Sequence, residues 1–341
     1  MMEMDFSSLK VNPFKMYGGG NGSKICLVIQ GNDYMLKFPP SATLNKDVSY
    51  TNGCFSEYVA CHIFKTLGLD TQETLLGRYN DKIVVACKDF ALDGFVLSDF
   101  AQLKNTIIDS SHNGYGTELS EVLTTIQEQQ IYSPVLLEKH FWEMFIGDTL
   151  LGNFDRHNGN WGFLVNSQIS EVKIAPIYDC GSCLYSQIDE IKMKNVLNNQ
   201  KEIEDRIFSY PTSSLRQNDK RINYFQFLMS TENTECLTAL KTIGIRIDLN
   251  KINSVIDDTP FISDTHKLFL KTMVKERKEQ IIDRALERLL PKEATTQKDC
   301  STMTMNEWKE AIKNEKINQS GNQGQNNIKT EKSKNMRSER D

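Results

Sequence analysis

The sequence predicts an α+β fold with two lobes, a small β-rich N-terminal lobe that holds one helix and a larger, mainly helical C-terminal lobe. Residues 1–90 contain two pairs of short apolar segments on either side of one amphipathic segment, and residues 91–290 contain mostly helical patterns. Residues 291–341 are rich in Lys, Asn, Gln and Ser. This last stretch is therefore predicted to be a polar, largely disordered tail.

The N-terminal lobe is predicted from turn and helix signals. Residues 25–29 and 34–38 are apolar and flank a turn at 30–33, which is typical of a β-hairpin. Apolar side chains between residues 55 and 67 recur at helical spacing, and Gly68 suits the position that follows a helix end. Two more strands are predicted at 75–79 and 82–87, joined at Asn80 and Asp81.

The C-terminal lobe is predicted to begin with a polar region, residues 101–132, made of loops around one weak helix. Ser133 and Pro134 then mark a helix start, because serine caps a helix and proline fits its first turn. That helix is expected to reach Gly152. The further predicted elements are a hairpin at 161–165 and 172–177, mainly helical structure from about 190, and a final helix from about 264 to 290.

The composition favours a packed soluble protein, because 39% of the 341 residues are hydrophobic and 25% are charged. No apolar stretch approaches the roughly 18–20 residues of a membrane helix, so no membrane span is predicted. The net charge of -5 provides no overall positive field, and no nucleic-acid partner is expected. The N-terminus lacks the pattern of a secretory signal peptide, which predicts a cytoplasmic protein or one exported by a dedicated apparatus.

A glycine-rich cluster precedes the first hairpin and is a candidate phosphate-binding loop. Glycine lets the backbone approach a phosphate closely and donate N–H groups to it. The spacing differs from that of a Walker loop, and a flexible turn without a ligand is the alternative interpretation. The candidate residues are Gly18, Gly19, Gly20, Asn21, Gly22, Ser23 and Lys24.

Lys37 lies on the second strand of the predicted hairpin, and Glu57 lies in the predicted helix twenty residues later. A strand lysine that pairs with a helix glutamate is held where its ammonium can contact nucleotide phosphates. Each residue taken singly could instead be an ordinary surface charge. Together they are candidate nucleotide-binding residues.

The sharpest signal is the string Asp155-Arg-His-Asn-Gly-Asn160, which lies between a predicted helix and a predicted hairpin. Asp155 and Asn160 are five positions apart, as are the aspartate and asparagine of protein-kinase catalytic loops. In those loops the aspartate accepts a hydrogen bond from the acceptor hydroxyl, and the asparagine oxygen binds Mg²⁺. A polar turn is the alternative. Asp179 ends the next predicted strand and is the second candidate Mg²⁺ ligand. His157 and Asn158 are counted with the nucleotide-binding residues, and His157 is expected to shape the loop.

Cys180-Gly-Ser-Cys183 directly follows Asp179, and it leaves a redox pair open as a competing interpretation. A redox C-x-x-C normally opens a helix early in a small α/β domain, whereas this one lies in mid-chain beside an acid. The eight cysteines are about average for this length and are expected to be buried, reduced thiols.

Together these residues resemble the HipA-type branch of the serine/threonine protein kinases, over roughly residues 15–290. The resemblance rests on the Asp-x-His-x-x-Asn string that ends at Asn160 and on the Tyr-Asp-x-Gly element that contains Asp179. It implies a two-lobed protein-kinase-like fold, with ATP as the phosphate donor and Mg²⁺ as a cofactor. By position it implies that Asp155 is catalytic, that Asn160 and Asp179 hold the metal, and that Lys37 binds phosphates.

The resemblance also implies autophosphorylation and phosphorylation of serine or threonine in protein substrates, and it suggests secretion, entry into host cells and a role in virulence. Ser23 and Ser41 are candidates for self-modification. The adenine base is expected to contact backbone near residues 86–89. The sequence departs from the usual kinase pattern before Asp155 and lacks a long activation segment after Asp179, so ordinary activation-loop regulation is not expected.

Two other functions stay open at this point. Phosphoinositide kinases carry the same Asp-Arg-His-Asn-x-Asn string, but a lipid kinase needs a basic, membrane-facing surface, and Asp189 and Glu190 oppose Lys192 in the segment after Asp179. A pseudokinase would use the fold for contact only. Since the glycine cluster, the strand lysine, the helix glutamate, the Asp155–Asn160 string and Asp179 are all present, the sequence favours an active enzyme.

Overall fold

The computed structural model describes residues 4–18, 24–39, 52–108 and 112–290. The elements below belong to one compact unit, Met1–Leu289. Several predicted features lie outside the described residues, namely residues 19–23 of the glycine cluster, the candidate Ser41 and the tail at 291–341.

A five-stranded sheet forms the first layer, with the spatial order β1-β4-β5-β3-β2. Its tight turns carry residues with positive φ, Gln30 and Gly31 in one hairpin and Asn80 and Asp81 in the other. Two such residues in a row match the twist of a two-residue hairpin, which explains why both predicted hairpins form. The strands are β1 Met4–Asp5, β2 Lys24–Ile29, β3 Asn32–Lys37, β4 Thr74–Tyr79 and β5 Lys82–Lys88.

The segment before the glycine cluster runs antiparallel to β2, which sequence patterns did not show. Val11 bridges to Leu27, and the backbone N–H of Asn12 donates to the carbonyl of Cys26 at 2.9 Å. Gly18 and Lys24 are thus the two ends of a connection between antiparallel segments. The glycine cluster therefore lies, in chain order, between two segments that run antiparallel, the second of which is β2.

The predicted helix is present as α1, Gly53–Thr66, and Gly68 follows it with a φ of 73°. The helix packs against β4 and β5 of this sheet. The buried face of α1 includes Phe64, whose ring lies against Gly147 of a later helix. A Cβ atom at Gly147 would lie 2.2 Å from the Phe64 ring, so only glycine permits this close approach.

The region predicted as loops around one weak helix is more regular than expected. It contains β6 Val96–Asp99, α2 Phe100–Ile107 and α3 Leu119–Glu128. The side chain of Asp99 caps α2 by accepting a hydrogen bond from the N–H of Gln102. The ring of Phe100 stacks on Trp161 with centroids 4.0 Å apart, so tertiary packing stabilises a helix whose local pattern is weak.

Helix α4, Pro134–Leu151, runs through the core and leads directly into the loop that carries Asp155. Ser133 caps its start, and Gly152 ends it in the left-handed conformation with a φ of 64°. Strands β7 Gly162–Asn166 and β8 Glu171–Ile174 follow and form a three-stranded antiparallel sheet with β6. The predicted helix and hairpin are therefore both present.

The rest of the chain is mainly helical, as predicted, but includes a short hairpin. The predicted final helix is present as α10, a π-helical segment at Lys278–Asp283 and a last turn. The elements are α5 Glu190–Leu197, α6 Gln200–Phe208, β9 Arg216–Gln217, β10 Lys220–Arg221, α7 Tyr224–Ser230, α8 Thr234–Arg246, α9 Leu249–Asp257, α10 Asp264–Arg277 and α11 Arg284–Glu287.

Among the described residues, no helix has the length and apolar character required to cross a membrane. The seven described cysteines are all buried and carry free thiols, in line with the sequence-based expectation. Cys300 lies outside the described residues.

His266 in α10 predicts a loss of stability in acid. Its ring is buried against Phe55 of α1, and burial lowers its pKa from 6.5 to about 4. The unfolded chain therefore takes up a proton at a higher pH than the folded chain does, so stability is lost as the pH falls from 6.5 towards 4. We expect His266 to contribute about 2 kcal/mol to the drop in unfolding free energy between pH 7.5 and pH 5.

Denaturant unfolding at both pH values measures this drop in the wild type and in His266→Gln. Glutamine cannot gain the charge, so the variant should lose less stability on acidification, whatever its stability at pH 7.5. An equal drop in both proteins would show that His266 is not responsible.

Candidate active site

Lys37 lies at the centre of a cluster of charges. It is the last residue of β3, and its Nζ lies 2.9 Å from Oε2 of Glu57 and 2.9 Å from Oδ1 of Asp179. Burial is the largest influence on the Lys37 pKa and lowers it, but the charges of Asp179 and Glu57 outweigh burial and raise the pKa. The ammonium is therefore charged at neutral pH and is held by two different parts of the chain.

Glu57 is buried in α1 and links Lys37 to the segment that follows Asp179. Its second oxygen accepts a hydrogen bond from the backbone N–H of Cys180 at 3.0 Å. Burial raises the pKa of Glu57, and the charge of Lys37 opposes this effect. A Cβ at Gly181 would lie 3.2 Å from the Glu57 carboxylate, so glycine there allows the chain to pass close to α1.

Asp179 presents a carboxylate that is half-exposed, with 45% of the side-chain surface accessible. The ammonium of Lys37 lowers the Asp179 pKa to about 2, so the carboxylate is ionised throughout the neutral range. Asp179 has a φ of 55°, a backbone conformation that costs energy for a residue with a side chain. The surrounding contacts thus maintain an uncommon backbone conformation that places this carboxylate on Lys37.

Asp155 and Asn160 belong to the loop that follows α4. The Nδ2 of Asn160 donates to the carbonyl of Asp155 at 2.8 Å, and the N–H of Asp155 donates to Oδ1 of Asn153 at 3.0 Å. Burial raises the pKa of the half-buried Asp155, and the nearby charge of His157 opposes this effect. The loop backbone is fixed by these bonds, while the carboxylate of Asp155 borders an open cavity.

Arg156 is a buried side chain that sequence patterns did not single out. It forms an ion pair with Asp148 of α4, with Nε at 3.0 Å from Oδ2. Its Nη1 donates to the carbonyls of Asn160, at 2.8 Å, and of Tyr178. Arg156 thus joins the end of α4, the Asp155 loop and the Asp179 segment, and its only sequence signal is its position inside the Asp155–Asn160 string.

His157 and Asn158 have structural contacts within and beside this loop. Nδ1 of His157 accepts a hydrogen bond from the N–H of Gly159 at 3.0 Å, which fits the predicted loop-shaping role. Nδ2 of Asn158 donates to the carbonyls of Gly114 and Gly116, at 2.9 and 2.8 Å. The Asn158 amide therefore anchors the loop before α3, and its Nδ2 is already engaged there.

Two residues of the glycine cluster are described, Gly18 and Lys24, which stand at its ends. Lys24 is paired with Lys37 in the register of β2 and β3, and its Nζ donates to the carbonyl of Gly18 at 3.4 Å. Burial is the main cause that lowers the Lys24 pKa, and the charge of Lys37 adds to it. The cluster thus begins and ends beside the Lys37 site.

The sulfur atoms of Cys180 and Cys183 do not reach solvent, because both residues are fully buried. The Nη2 of Arg156 lies 3.4 Å from Sγ of Cys180, so this thiol belongs to the network around the Asp155 loop. A redox pair needs an accessible sulfur for attack. The geometry therefore favours a packing role for the C-x-x-C over the redox interpretation.

The oxygen donors at this site fit Mg²⁺. Magnesium binds through one or two protein carboxylates together with water and substrate phosphates, and it does not require a cage of protein ligands. Among the described residues, no group of three or more His, Cys, Asp or Glu side chains could hold a metal on its own. Asp179 offers a half-exposed ionised carboxylate, and Asn160 keeps Oδ1 as an acceptor because its Nδ2 is the donor to Asp155.

The family model described as the HipA-like C-terminal domain matches residues 17–241, about two thirds of the chain. The chain belongs to this family. The HipA-type resemblance drawn from the Asp155–Asn160 string and Asp179 is thereby confirmed.

This HipA-like chain has a curated relative in Helicobacter pylori strain J99, the serine/threonine-protein kinase CtkA. The two are 54% identical over 291 residues, which cover 85% of this chain and 90% of CtkA. A crystal structure of a Helicobacter pylori proinflammatory kinase CtkA matches with a TM-score of 0.81 and covers 85% of this chain and 100% of that one.

A Shewanella oneidensis HipA–HipB–operator DNA complex contains a chain that matches with a TM-score of 0.51 at 14% identity. The match covers 81% of this chain and 70% of that one, and it supports the shared fold alone.

Lys37→Met should reduce phosphate transfer about 100-fold, the usual order for one lost charged or hydrogen-bonding group at a reacting centre. Methionine keeps the length of the side chain but loses the ammonium that contacts Glu57 and Asp179. Steady-state rates with Mg-ATP measure the effect. Lys65→Met, on the exposed face of α1, is the matched control. Similar rates for the two variants would contradict the assignment of Lys37.

Proposed function

We propose that this protein is an ATP-dependent serine/threonine protein kinase that transfers the γ-phosphate to protein hydroxyl groups, including its own. The observation that carries the proposal is the double ion pair of Lys37 with Glu57 and Asp179. Phosphoryl transfer depends on positioning and charge stabilisation, and this cluster provides both. The named activity of CtkA, at 54% identity, supports the same function.

Each residue has a proposed role that follows from its contacts. Lys37 binds the nucleotide phosphates, and Glu57 orients its ammonium. Asp155 accepts the hydrogen bond of the acceptor hydroxyl and takes its proton as transfer proceeds. Asn160 and Asp179 would hold Mg²⁺, which would neutralise phosphate charge there.

The proposed binding of ATP extends beyond these side chains. The glycine cluster would cover the phosphates with backbone N–H groups, and backbone near Ala86–Asp89 would contact the base. Within the compact unit we propose two lobes at the boundary predicted from sequence, residues 1–90 and 91–290, with 291–341 as a tail. The activity would be exerted in the cytoplasm or, as the family resemblance suggests, after export.

Mass spectrometry of the purified protein before and after incubation with Mg-ATP tests the proposal. Added phosphate on serine or threonine is the expected result, and fragment masses identify the sites, with Ser23 and Ser41 as the first candidates. A parallel reaction with labelled ATP offers a generic basic protein or phosphoinositide vesicles. Label that enters lipid alone would assign a lipid kinase, and no transfer to any acceptor would assign a pseudokinase.

A further inference from the structure

A cavity of about 330 Å³ opens beside Asp155, the residue that we propose accepts the hydrogen bond of the acceptor hydroxyl. Three separate segments form its wall, the loop before α3, the Asp155 loop and the β9–β10 hairpin. The lining residues are Tyr115, Thr117, Asp155, His157, Ser214, Arg216 and Arg221. Asp155, which we propose contacts the acceptor hydroxyl, lines this cavity together with His157, whereas Lys37, Asn160 and Asp179 are not among the described lining residues, so the cavity lies on the acceptor side of the site.

Two arginines give this cavity its charge. Arg216 and Arg221 are directly paired across β9 and β10, so their guanidinium groups start from neighbouring positions. Nη1 of Arg216 donates to the carbonyl of Asp219 at 2.7 Å, and Nη1 of Arg221 donates to the carbonyl of Phe154 at 3.4 Å. Each guanidinium has five N–H donors, so these bonds orient the two groups and leave most of their donors for a ligand.

The carboxylate next to the lining residue Thr117 is directed at backbone N–H groups of the hairpin. Glu118 precedes α3, and its two carboxylate oxygens accept hydrogen bonds from the N–H groups of Asn218 and Asp219, at 2.8 and 3.2 Å. Its charge is thus directed at the backbone turn of the hairpin. The cavity wall therefore contains two cations against the single carboxylate of Asp155.

Ser214 supplies an independent sign of a ligand. It is 5% exposed, lines the cavity, and its hydroxyl has no hydrogen-bond partner in the described part of the chain. Thr117 donates its own hydroxyl to the Ser214 carbonyl at 2.7 Å, which fixes the two segments together. A buried hydroxyl without a partner costs free energy, and an acceptor group bound in the cavity would remove that cost.

We propose that this cavity binds an anionic side chain, that of glutamate, aspartate or phosphoserine, close to the acceptor serine or threonine of a protein substrate. Arginine pairs suit carboxylate and phosphate groups, and the Ser214 hydroxyl adds one more donor. Because Asp155 forms part of the same wall, an anion held by the arginines places a neighbouring hydroxyl within reach of the reacting centre. The inference rests on the proposed kinase function and names the substrate class that the kinase selects.

A serine-peptide library tests the inference with the full-length protein and Mg-ATP. Each peptide carries glutamate, phosphoserine, alanine or lysine at one position between three residues before and three after the acceptor. We expect kcat/KM to be on the order of tenfold higher with an anion than with alanine at one or two positions, and lower with lysine. The glutamate and phosphoserine arms show which anion the cavity prefers.

Arg216→Gln and Arg221→Gln test whether the cavity is the source of this preference. The ratio of kcat/KM between anionic and alanine peptides should fall several-fold in both variants, through KM for the peptide and not through KM for ATP. Lys251→Gln, an exposed site on α9, removes one positive charge elsewhere and should retain the ratio. Thermal unfolding of all three shows that the variants are folded.

The outcomes separate this inference from the proposed function. If phosphate moves to no peptide and to no residue of the protein itself, the kinase proposal fails and the inference fails with it. Three outcomes would overturn the inference alone. They are a kcat/KM that does not depend on the charge of the residues beside the acceptor, phosphate transfer confined to the protein itself, and a preference for anionic peptides that both arginine variants keep. A rise in KM for ATP without a change for peptide would assign the arginines to the nucleotide and would likewise overturn it.

Discussion

Asp155→Asn is expected to lower phosphate transfer by a factor of about 10³ or more, towards the upper range for loss of a general base. Asparagine has nearly the same shape but cannot take the proton of the acceptor hydroxyl. The hydrogen bonds that hold this residue in its loop, to Asn153 and from His157 and Asn160, use the backbone of residue 155 and survive the change. The variant should therefore be folded and inactive.

The measurement compares label transfer from ATP with the affinity for the nucleotide. Because Lys37, Glu57 and Asp179 are untouched, Asp155→Asn should bind Mg-ATP within a few-fold of the wild-type affinity, as determined by calorimetry. Asp258→Asn, an exposed aspartate at the end of α9, is the matched control and should transfer phosphate normally. Transfer by Asp155→Asn at a rate near that of the control would exclude Asp155 as the base.

The elements that sequence predicted correctly are those with strong local signals. The Asn80–Asp81 turn, the Ser133 cap and Gly152 at the end of α4 each determine the backbone within a few residues, and each is found where expected. The pairing of β1 with β4 depends on residues that are more than 70 positions apart. Helix α3 has no side-chain cap at Glu118, so its start had no local signal to reveal it.

The sequence likewise predicted only those parts of the candidate site that lie close together along the chain. The separation of Asp155 and Asn160 is visible in the sequence because both lie on one loop. The contact of Lys37 with Asp179 joins residues 142 positions apart, and sequence could supply only the order of motifs that led to it. Arg216 and Arg221 were missed because two-residue strands of polar residues, such as β9 and β10, carry no apolar alternation to identify them.

Arg156→Met is expected to lower the free energy of unfolding by about 3–5 kcal/mol, the cost of breaking a buried ion pair on one side. Arg156 and Asp148 are 6% and 2% exposed, so the change would leave the Asp148 carboxylate buried without its cation. The carbonyls of Asn160 and Tyr178 would also lose their donor. Since these carbonyls belong to the two loops of the site, activity should fall together with stability.

A double-mutant cycle separates the buried charge from the lost donors. Asp148→Asn in the Arg156→Met background removes the unpaired carboxylate, so the double variant should regain part of the stability lost by Arg156→Met. Chemical denaturation of the wild type, both single variants and the double variant gives the coupling free energy. Strictly additive losses would show that the pair contributes nothing as a pair. Among the described hydrogen bonds, Arg156 alone connects α4 to the carbonyls of both Asn160 and Tyr178. Recovered stability without recovered activity would therefore show that these bonds from Arg156 serve the site itself.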